Sequence, residues 1–244
     1  MQVQDSPFDS QHYQLRIGRL VPQSTDGAAE LAAAIDDARA NGFDVLFVRV
    51  AQHHPMGAVL ERAGHAPIDT LVISTLGRPR PKAPVGPVSA ITIEHHDRLE
   101  DPDEIAEIAR ITAQSMRTSH LHADPRLPIA GTQELYAAWA RNDVTGRAQR
   151  TILARAGREP VGYITVLAGP GTAVIDLVAV APSAQGQGIG SSMLASFIGW
   201  IGDRDLVATV GTQAHNPALA LYARCGFVPT ETHFTYHLWL AEPS

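Results

Sequence analysis

The chain has 244 residues, enough for one large domain or two small ones. Its hydrophobic fraction of 45% and charged fraction of 18% are ordinary for a globular protein, and a net charge of −6 argues against a general nucleic-acid binder, which would carry a basic stripe. One cysteine, Cys225, leaves no intrachain disulfide; no run approaches the roughly 18 apolar residues of a membrane span, and MQVQDSPFDS lacks the basic and apolar regions of a secretory signal, so a cytoplasmic protein away from membranes is expected.

Along the chain, Leu31, Ala34, Ile35 and Ala38 give the first amphipathic helix. Residues 44–70 then read strand, turn, helix, glycine, strand. The stretch GRPRPKAPVGP (77–87) carries four prolines, which fix φ and remove amide donors, so it reads as a linker. It divides a first part, 1–76, from a second, 88–244. The second part continues with a strand, SAITIEHH (89–96), and a helix over 101–116 with acidic residues in its first turn. A loop over 117–128 and a helix over 132–142 follow. Residues 150–156 and 161–169 flank the turn GREP as a hairpin. The valine-rich run TAVIDLVAV (172–180) predicts a central strand buried on both faces. Ile189, Met193, Phe197 and Ile201 give the next helix, 188–201, one apolar face. DLVATVGTQ (205–213) is a strand, NPALALYARCG a helix, and FVPTETHFTYHLWL the closing strand region. The order predicts an α/β (α+β) fold with a mixed central sheet flanked by helices.

The first part repeats the second. Sliding 44–70 by 162 positions onto 206–232 gives nine identities, among them His53 with His215, Pro55 with Pro217, Arg62 with Arg224 and Gly64 with Gly226. The turn proline, the Arg-x-Gly and the downstream proline keep register, as in a true repeat. Two positions differ: Asp26 stands where the second copy has Gly188, and Leu60 where it has Tyr222.

Glycines at 186, 188 and 190 sit between a strand and a helix, where backbone must approach something closely. A P-loop needs a lysine after its last glycine, and none follows. A Rossmann fingerprint needs Gly-x-Gly-x-x-Gly early in its unit, and here the spacing is Gly-x-Gly-x-Gly and late. A third arrangement fits: free amides at a helix N-terminus, with the positive end of its dipole, facing a pyrophosphate. Gln185-Gly186-Gln187-Gly188-Ile189-Gly190 resembles the Gln/Arg-x-x-Gly-x-Gly/Ala signature of the GNAT superfamily of N-acetyltransferases. The segment AHNPALALYARCGF resembles its second signature at Ala218, Leu221, Tyr222, Gly226 and Phe227, with His215 where the family has asparagine and Asn216 beside it. The resemblance covers about residues 88–244, and the first part becomes a truncated, degenerate GNAT-like half that has lost the coenzyme.

What the resemblance implies is specific. Acetyl-CoA is the cosubstrate. Its diphosphate lies on Gln185, Gly186, Gln187, Gly188, Ile189, Gly190 and Ser191, and its pantetheine adds as a strand along Val178, Ala179 and Val180, where the strand 172–180 splays from 205–213. His215 and Asn216 are further candidate coenzyme contacts. The Val178 amide would stabilise the oxyanion, Tyr222 would protonate the departing thiolate, and Asp176, on the same strand face, is a candidate base. The run from Ser115 to Asn142 resembles the acceptor region of sugar-nucleotide N-acetyltransferases, so Arg117, His120, His122 and Arg126 are candidate substrate residues. The acceptor expected is a primary amine on a small molecule, a nucleotide-linked amino sugar being the sharper expectation. A peptide or protein amine, or a catalytically silent acyl-CoA-binding module, are the alternatives. His120-x-His122-x-Asp124 is similar to part of a metallohydrolase zinc motif, but Pro125 replaces its last histidine, so no metal is expected. A homodimer is compatible with the reading.

Overall fold

The structure, a computed structural model, describes residues 1–77 and 91–240. All but the first residue of the expected linker 77–87, and the first two residues of the expected strand 89–96, therefore lie outside the described residues. The strands are β1 (Gln2–Asp5), β2 (Ile17–Val21), β3 (Val45–Ala51), β4 (Asp69–Leu76), β5 (Ile91–His96), β6 (Arg150–Ala156), β7 (Glu159–Gly169), β8 (Thr172–Val180), β9 (Val207–Gln213) and β10 (Val228–Trp239). The helices are α1 (Pro7–Tyr13), α2 (Ala28–Ala40), α3 (Met56–Arg62), α4 (Pro102–Ser115), α5 (His120–Ala123), α6 (Ile129–Asn142), α7 (Ile189–Gly202) and α8 (Ala218–Arg224).

Two compact units emerge, and they are not consecutive stretches. The first joins Met1–Val72 to Thr118–Leu135 and Glu231–Ser244; the second holds Ile73–Arg117 and Tyr136–Thr230. In the first unit β1 pairs antiparallel with β2, β2 parallel with β3, and β3 antiparallel with residues 233–239 of β10. Its core gathers Leu20, Leu31, Leu46, Val48, Met56, Leu60, Tyr236 and Leu238.

In the second unit β5, β6, β7 and β8 pair antiparallel in sequence order, and β9 runs parallel to β8. Helix α4 starts where Asp101 caps it, its side chain accepting from the Asp103 amide at 3.0 Å, with Pro102 at a position that needs no amide donor. The apolar stripe expected of α7 is in place: Ile189, Met193, Phe197 and Ile201 are all buried.

The internal repeat holds in three dimensions. A shift of 162 positions carries Val45–Ala51 onto Val207–Gln213 and Met56–Arg62 onto Ala218–Arg224, the bounds of β3 and α3 onto those of β9 and α8. The details follow. Pro55 and Pro217 both enter the helix at φ −55, and Gly64 and Gly226 both leave it at positive φ, +87 and +90. His54 Nδ1 accepts from the Met56 amide at 3.2 Å, and Asn216 Oδ1 accepts from the Ala218 amide at 2.9 Å.

Two expectations need correction. Strand β8 is buried on one face only: Ala173, Ile175, Leu177 and Ala179 are inside, while Val174 is 38% exposed. Valine content reports a fit to the pleat rather than burial on both faces. The loop over 117–128 contains the short helix α5, because the Ser119 hydroxyl accepts from the His122 amide and caps one turn.

Candidate acyl-coenzyme site

Strand β8 changes course at Asp176. Thr165 pairs with Leu177 and Val166 with Ile175, so Asp176 is the extra residue of a β-bulge. The Leu177 amide turns to the Thr165 hydroxyl at 3.1 Å, and the Ala181 amide bonds the Val161 carbonyl at 2.8 Å. Those two residues face β7. Backbone direction alternates along a strand, so Val178 and Val180 present amide and carbonyl to the other side, towards β9. The ladder with β9 stops just before the bulge, running from Thr172↔Val207 to Ile175↔Val210. Past it the two strands are unpaired, and β8 offers a free edge beginning at Val178. The Val180 carbonyl is already taken up, accepting from Ser115 Oγ at 2.8 Å and Gln185 Nε2 at 3.0 Å.

The bulge is held by charge. Asp176 accepts from the Trp139 indole at 2.8 Å and from Arg147 at 2.5 Å. Arg147 also pairs with Asp143, whose other oxygen accepts from the Thr165 hydroxyl at 2.7 Å. Burial pushes the Asp143 carboxyl above the ordinary carboxylate range, and the Asp176 charge adds to the rise, against the hydrogen bonds from Thr165 and Arg147.

From the end of β8 the chain makes a short turn, Pro182–Ala184, and enters α7 through Gly188. Gly186 and Gly188 have φ of +77 and +81, a region closed to most side chains. Gly190 answers to packing: a Cβ there would lie 3.3 Å from Leu221 Cδ2. The first intrahelical bond is from the Ser192 amide to the Gly188 carbonyl, which leaves the amides of Ile189, Gly190 and Ser191 without a partner inside the helix. The matching terminus of the first copy is filled by its own side chains. There Glu30 Oε2 accepts from the Gly27 amide at 2.8 Å and Asp26 Oδ2 from the Gln23 amide at 2.7 Å. The backbone amides of Gly27 and Glu30 hold the Glu30 carboxyl below its usual range. One copy thus carries a carboxylate on the N-cap amide of its helix, and the other carries none.

Tyr222 lies on α8, 3% exposed, its ring 5.9 Å from that of Phe227. Among the described residues no group reaches its hydroxyl in a hydrogen bond. Burial raises its pKa well above the ordinary phenol value, so the proton stays on. Cys225, directly beyond, is buried with its thiol raised by burial, which suits a packing residue. His215 is exposed, and the Asn216 carbonyl oxygen is engaged in the turn described above.

Residues 107–227 match the model of the acetyltransferase (GNAT) family, a span that includes the β8 edge, the glycine turn and Tyr222. This chain contains a GNAT domain. Over 141 residues it is 34% identical to the spore coat polysaccharide biosynthesis protein SpsD of Bacillus subtilis, which covers 57% of this chain and 48% of that protein, so the match spans about half of the relative's length. Among solved structures it is similar to a tandem GNAT protein from the clavulanic acid biosynthesis pathway, with a TM-score of 0.62, 16% identity, and coverage of 93% of this chain and 76% of that one. A GCN5-related N-acetyltransferase from Sphaerobacter thermophilus gives a TM-score of 0.65, 15% identity, and coverage of 99% and 76%. These likenesses bear out the fold, and the tandem protein fits a chain made of two GNAT-like halves.

The candidate acceptor residues divide between the units. Arg117, in the unit that holds the glycine turn, is exposed and donates to the Gln114 carbonyl at 3.0 Å. His120, His122 and Arg126 belong to the other unit. His122 Nδ1 bonds the Ser119 hydroxyl at 2.8 Å, and Arg126 grips Asp124 through Nε at 3.0 Å while lying over the Trp239 ring. His120 meets His237, a residue that sequence reading passed over. Its signal was the period-two placing of His237 and Trp239 on one face of the closing strand; Trp239 also donates to Asp124, at 2.8 Å. No group of three or more His, Cys, Asp or Glu among the described residues could hold a metal ion. No helix among them is long and apolar enough to cross a membrane.

Proposed function

We propose that the chain is an acetyl-CoA-dependent N-acetyltransferase acting on a primary amine of a small molecule. The observation that carries this is the contrast between the copies: the α7 terminus has amides without an intrahelical partner beside an unpaired strand edge and carries no carboxylate, while at the α2 terminus the Glu30 carboxylate takes the Gly27 amide. The coenzyme diphosphate would take the Gly188–Ser191 amides, and pantetheine would lie along β8 from Val178. To accept a hydrogen bond from pantetheine, the Val180 carbonyl would give up Ser115 or Gln185.

In the reaction the neutral amine attacks the thioester carbon. A C–N bond forms, the Val178 amide supports the oxyanion, and the C–S bond breaks as Tyr222 gives its proton to the sulfur; the proton that the acylated nitrogen then sheds passes through water and restores the Tyr222 phenol. An ordinary thiol has a pKa near 8.5 and an ordinary phenol near 10, and burial raises Tyr222 further, so the transfer depends on the sulfur being held at the hydroxyl as its negative charge develops. Asp176 would act as a base only after releasing Arg147 and the Trp139 indole.

The name of SpsD, a polysaccharide biosynthesis protein, supports a sugar-borne amine as acceptor, with a nucleotide-linked amino sugar the sharper choice. Thiol release from acetyl-CoA, measured with a TDP-linked 4-amino sugar beside simple amines and peptides, tests the proposal. Release that depends on the sugar is expected. Release with peptides alone would move the acceptor to protein, and tight coenzyme binding without turnover on any amine would leave a silent binding module.

A further inference from the structure

Strand β8 is held at its bulge by a closed ring of hydrogen bonds. The Leu177 amide donates to the Thr165 hydroxyl at 3.1 Å, and that hydroxyl donates to Asp143 Oδ2 at 2.7 Å. Asp143 Oδ1 accepts from Arg147 Nη1, which also donates to Asp176 Oδ2 at 2.5 Å. Asp176 precedes Leu177 in the chain, so the ring closes through one peptide bond. The Trp139 indole, on α6, adds a second hold on Asp176 at 2.8 Å. Every member lies in the second unit, and Thr165 and Asp143 are fully buried.

The turn after α6 brings the charged members together. Residues Asp143–Arg147 form one widened helical turn, in which the Ala148 amide reaches back five residues to the Asp143 carbonyl at 3.1 Å. Gly146 takes the bend at φ +131, which few other residues adopt. Arg147 thereby lies back against Asp143, four residues earlier.

Thr165 needs a side chain that hydrogen-bonds in both directions. As a carboxylate Asp143 can only accept, so the proton between the two belongs to the hydroxyl. The lone pairs of the same oxygen are left for the Leu177 amide. Valine has the shape and neither function; serine has both functions. The consequence is directional. Thr165 pairs with Leu177 and Val166 with Ile175, and Asp176 is the residue left over. Were the bulge lost, Thr165 would pair with Asp176, and every later residue of β8 would move one place along β7. A slip of one residue turns each amide to the opposite side of its strand. The Val178 amide, now on the unpaired edge, would then turn into the sheet towards β7.

We propose that Thr165 is a positioning residue for the acyl transfer: by keeping the bulge at Asp176, its hydroxyl keeps the Val178 amide on the free edge of β8, facing the thioester carbonyl. This rests on the acetyl-transfer reading above, in which that amide supports the oxyanion. Asp143 holds the hydroxyl in its donating direction, and Arg147 joins that tie to the bulged residue. In the same reading the coenzyme diphosphate lies on the α7 amides, which are no part of the ring. The ring therefore bears on the chemical step more than on affinity.

Thr165→Val and Thr165→Ser, compared in the full chain, separate positioning from packing. Thr165→Val should lower kcat by roughly 10²-fold, the scale of misplacing one oxyanion donor. Its dissociation constant for acetyl-CoA should change by no more than about tenfold, the worth of one hydrogen bond. Thr165→Ser should recover most of kcat. In the 15N-labelled chain without substrate, the Leu177 amide should exchange with solvent about tenfold faster in Thr165→Val than in the wild type. Arg147→Gln, changed at the half-exposed side of the ring, should also lower kcat by roughly 10²-fold, and it serves if Thr165→Val does not fold. Wild-type kcat in Thr165→Val, or in Arg147→Gln where the first does not fold, overturns the proposal. So does a loss of kcat that Thr165→Ser shares in full, or an unchanged Leu177 exchange. Failure of the wild type to acetylate any amine would instead overturn the reading it rests on, and the Leu177 exchange still decides whether the hydroxyl holds the bulge.

Discussion

Tyr222 carries a hydroxyl that burial keeps protonated and that no side chain among the described residues hydrogen-bonds. Its packing on Phe227 needs only the ring. Tyr222→Phe is therefore expected to melt close to the wild type and bind acetyl-CoA as tightly, while kcat falls by roughly 10²–10⁴-fold. Steady-state kinetics beside a melting curve checks this, and an unchanged kcat would remove Tyr222 as the acid. Asp124 behaves differently, because it is a buried hub. Its carboxyl is held below the ordinary range in the folded chain, so the stability it contributes is present above the unfolded value near 3.9 and is lost as pH falls below it. Asp124→Asn is expected to cost about 3–5 kcal/mol at pH 7. In urea unfolding the difference from wild type should shrink towards pH 3. Tyr222 was legible in the sequence because a signature surrounds it. The partnership of Asp124 with His237 was not, since 113 residues separate them and only the fold brings them together.

At the scale of elements, the proposed acyl-coenzyme site is a strand that bulges and a helix that starts on glycine. Gly188→Ala puts a side chain at φ +81, costing roughly 1–2 kcal/mol of strain, and should raise the acetyl-CoA dissociation constant as the turn relaxes. Titration calorimetry on the folded variant reads this directly. The bulge depends on Arg147 between Asp143 and Asp176. Asp143 has a folded pKa above its unfolded one, so its contribution to stability is present below the unfolded value near 3.9 and is lost as pH rises through the folded value. Asp143→Asn should remove that loss, and between pH 4 and 7 its urea midpoint should fall less, or rise more, than the wild type's. The glycine turn, the amphipathic α7 and the interruption of β8 were readable from spacing and from the family signature. The single-sided burial of β8 and the capped turn at Ser119 were not: the first depends on what covers each face, and the second on one hydroxyl.

At the scale of the molecule, two copies of one motif have separate fates. The repeat was legible in nine identities because proline and glycine tie sequence to backbone angle, and Pro55, Pro217, Gly64 and Gly226 sit at the same dihedrals in both copies. The composition of the units was not legible, because residues 118–135 and 231–244 join the first 72 through contacts distant in sequence. Acetyl-CoA at about 100 times its dissociation constant should stabilise the fold of its unit by roughly 2.7 kcal/mol, visible as a melting shift. The most direct test of the account is the stoichiometry of acetyl-CoA binding by calorimetry, in the wild type and in Gly188→Asp, which places in the second copy the acid that Asp26 supplies in the first. The account predicts one site per chain, abolished by the substitution. Two sites, or one that survives Gly188→Asp unchanged, would contradict it.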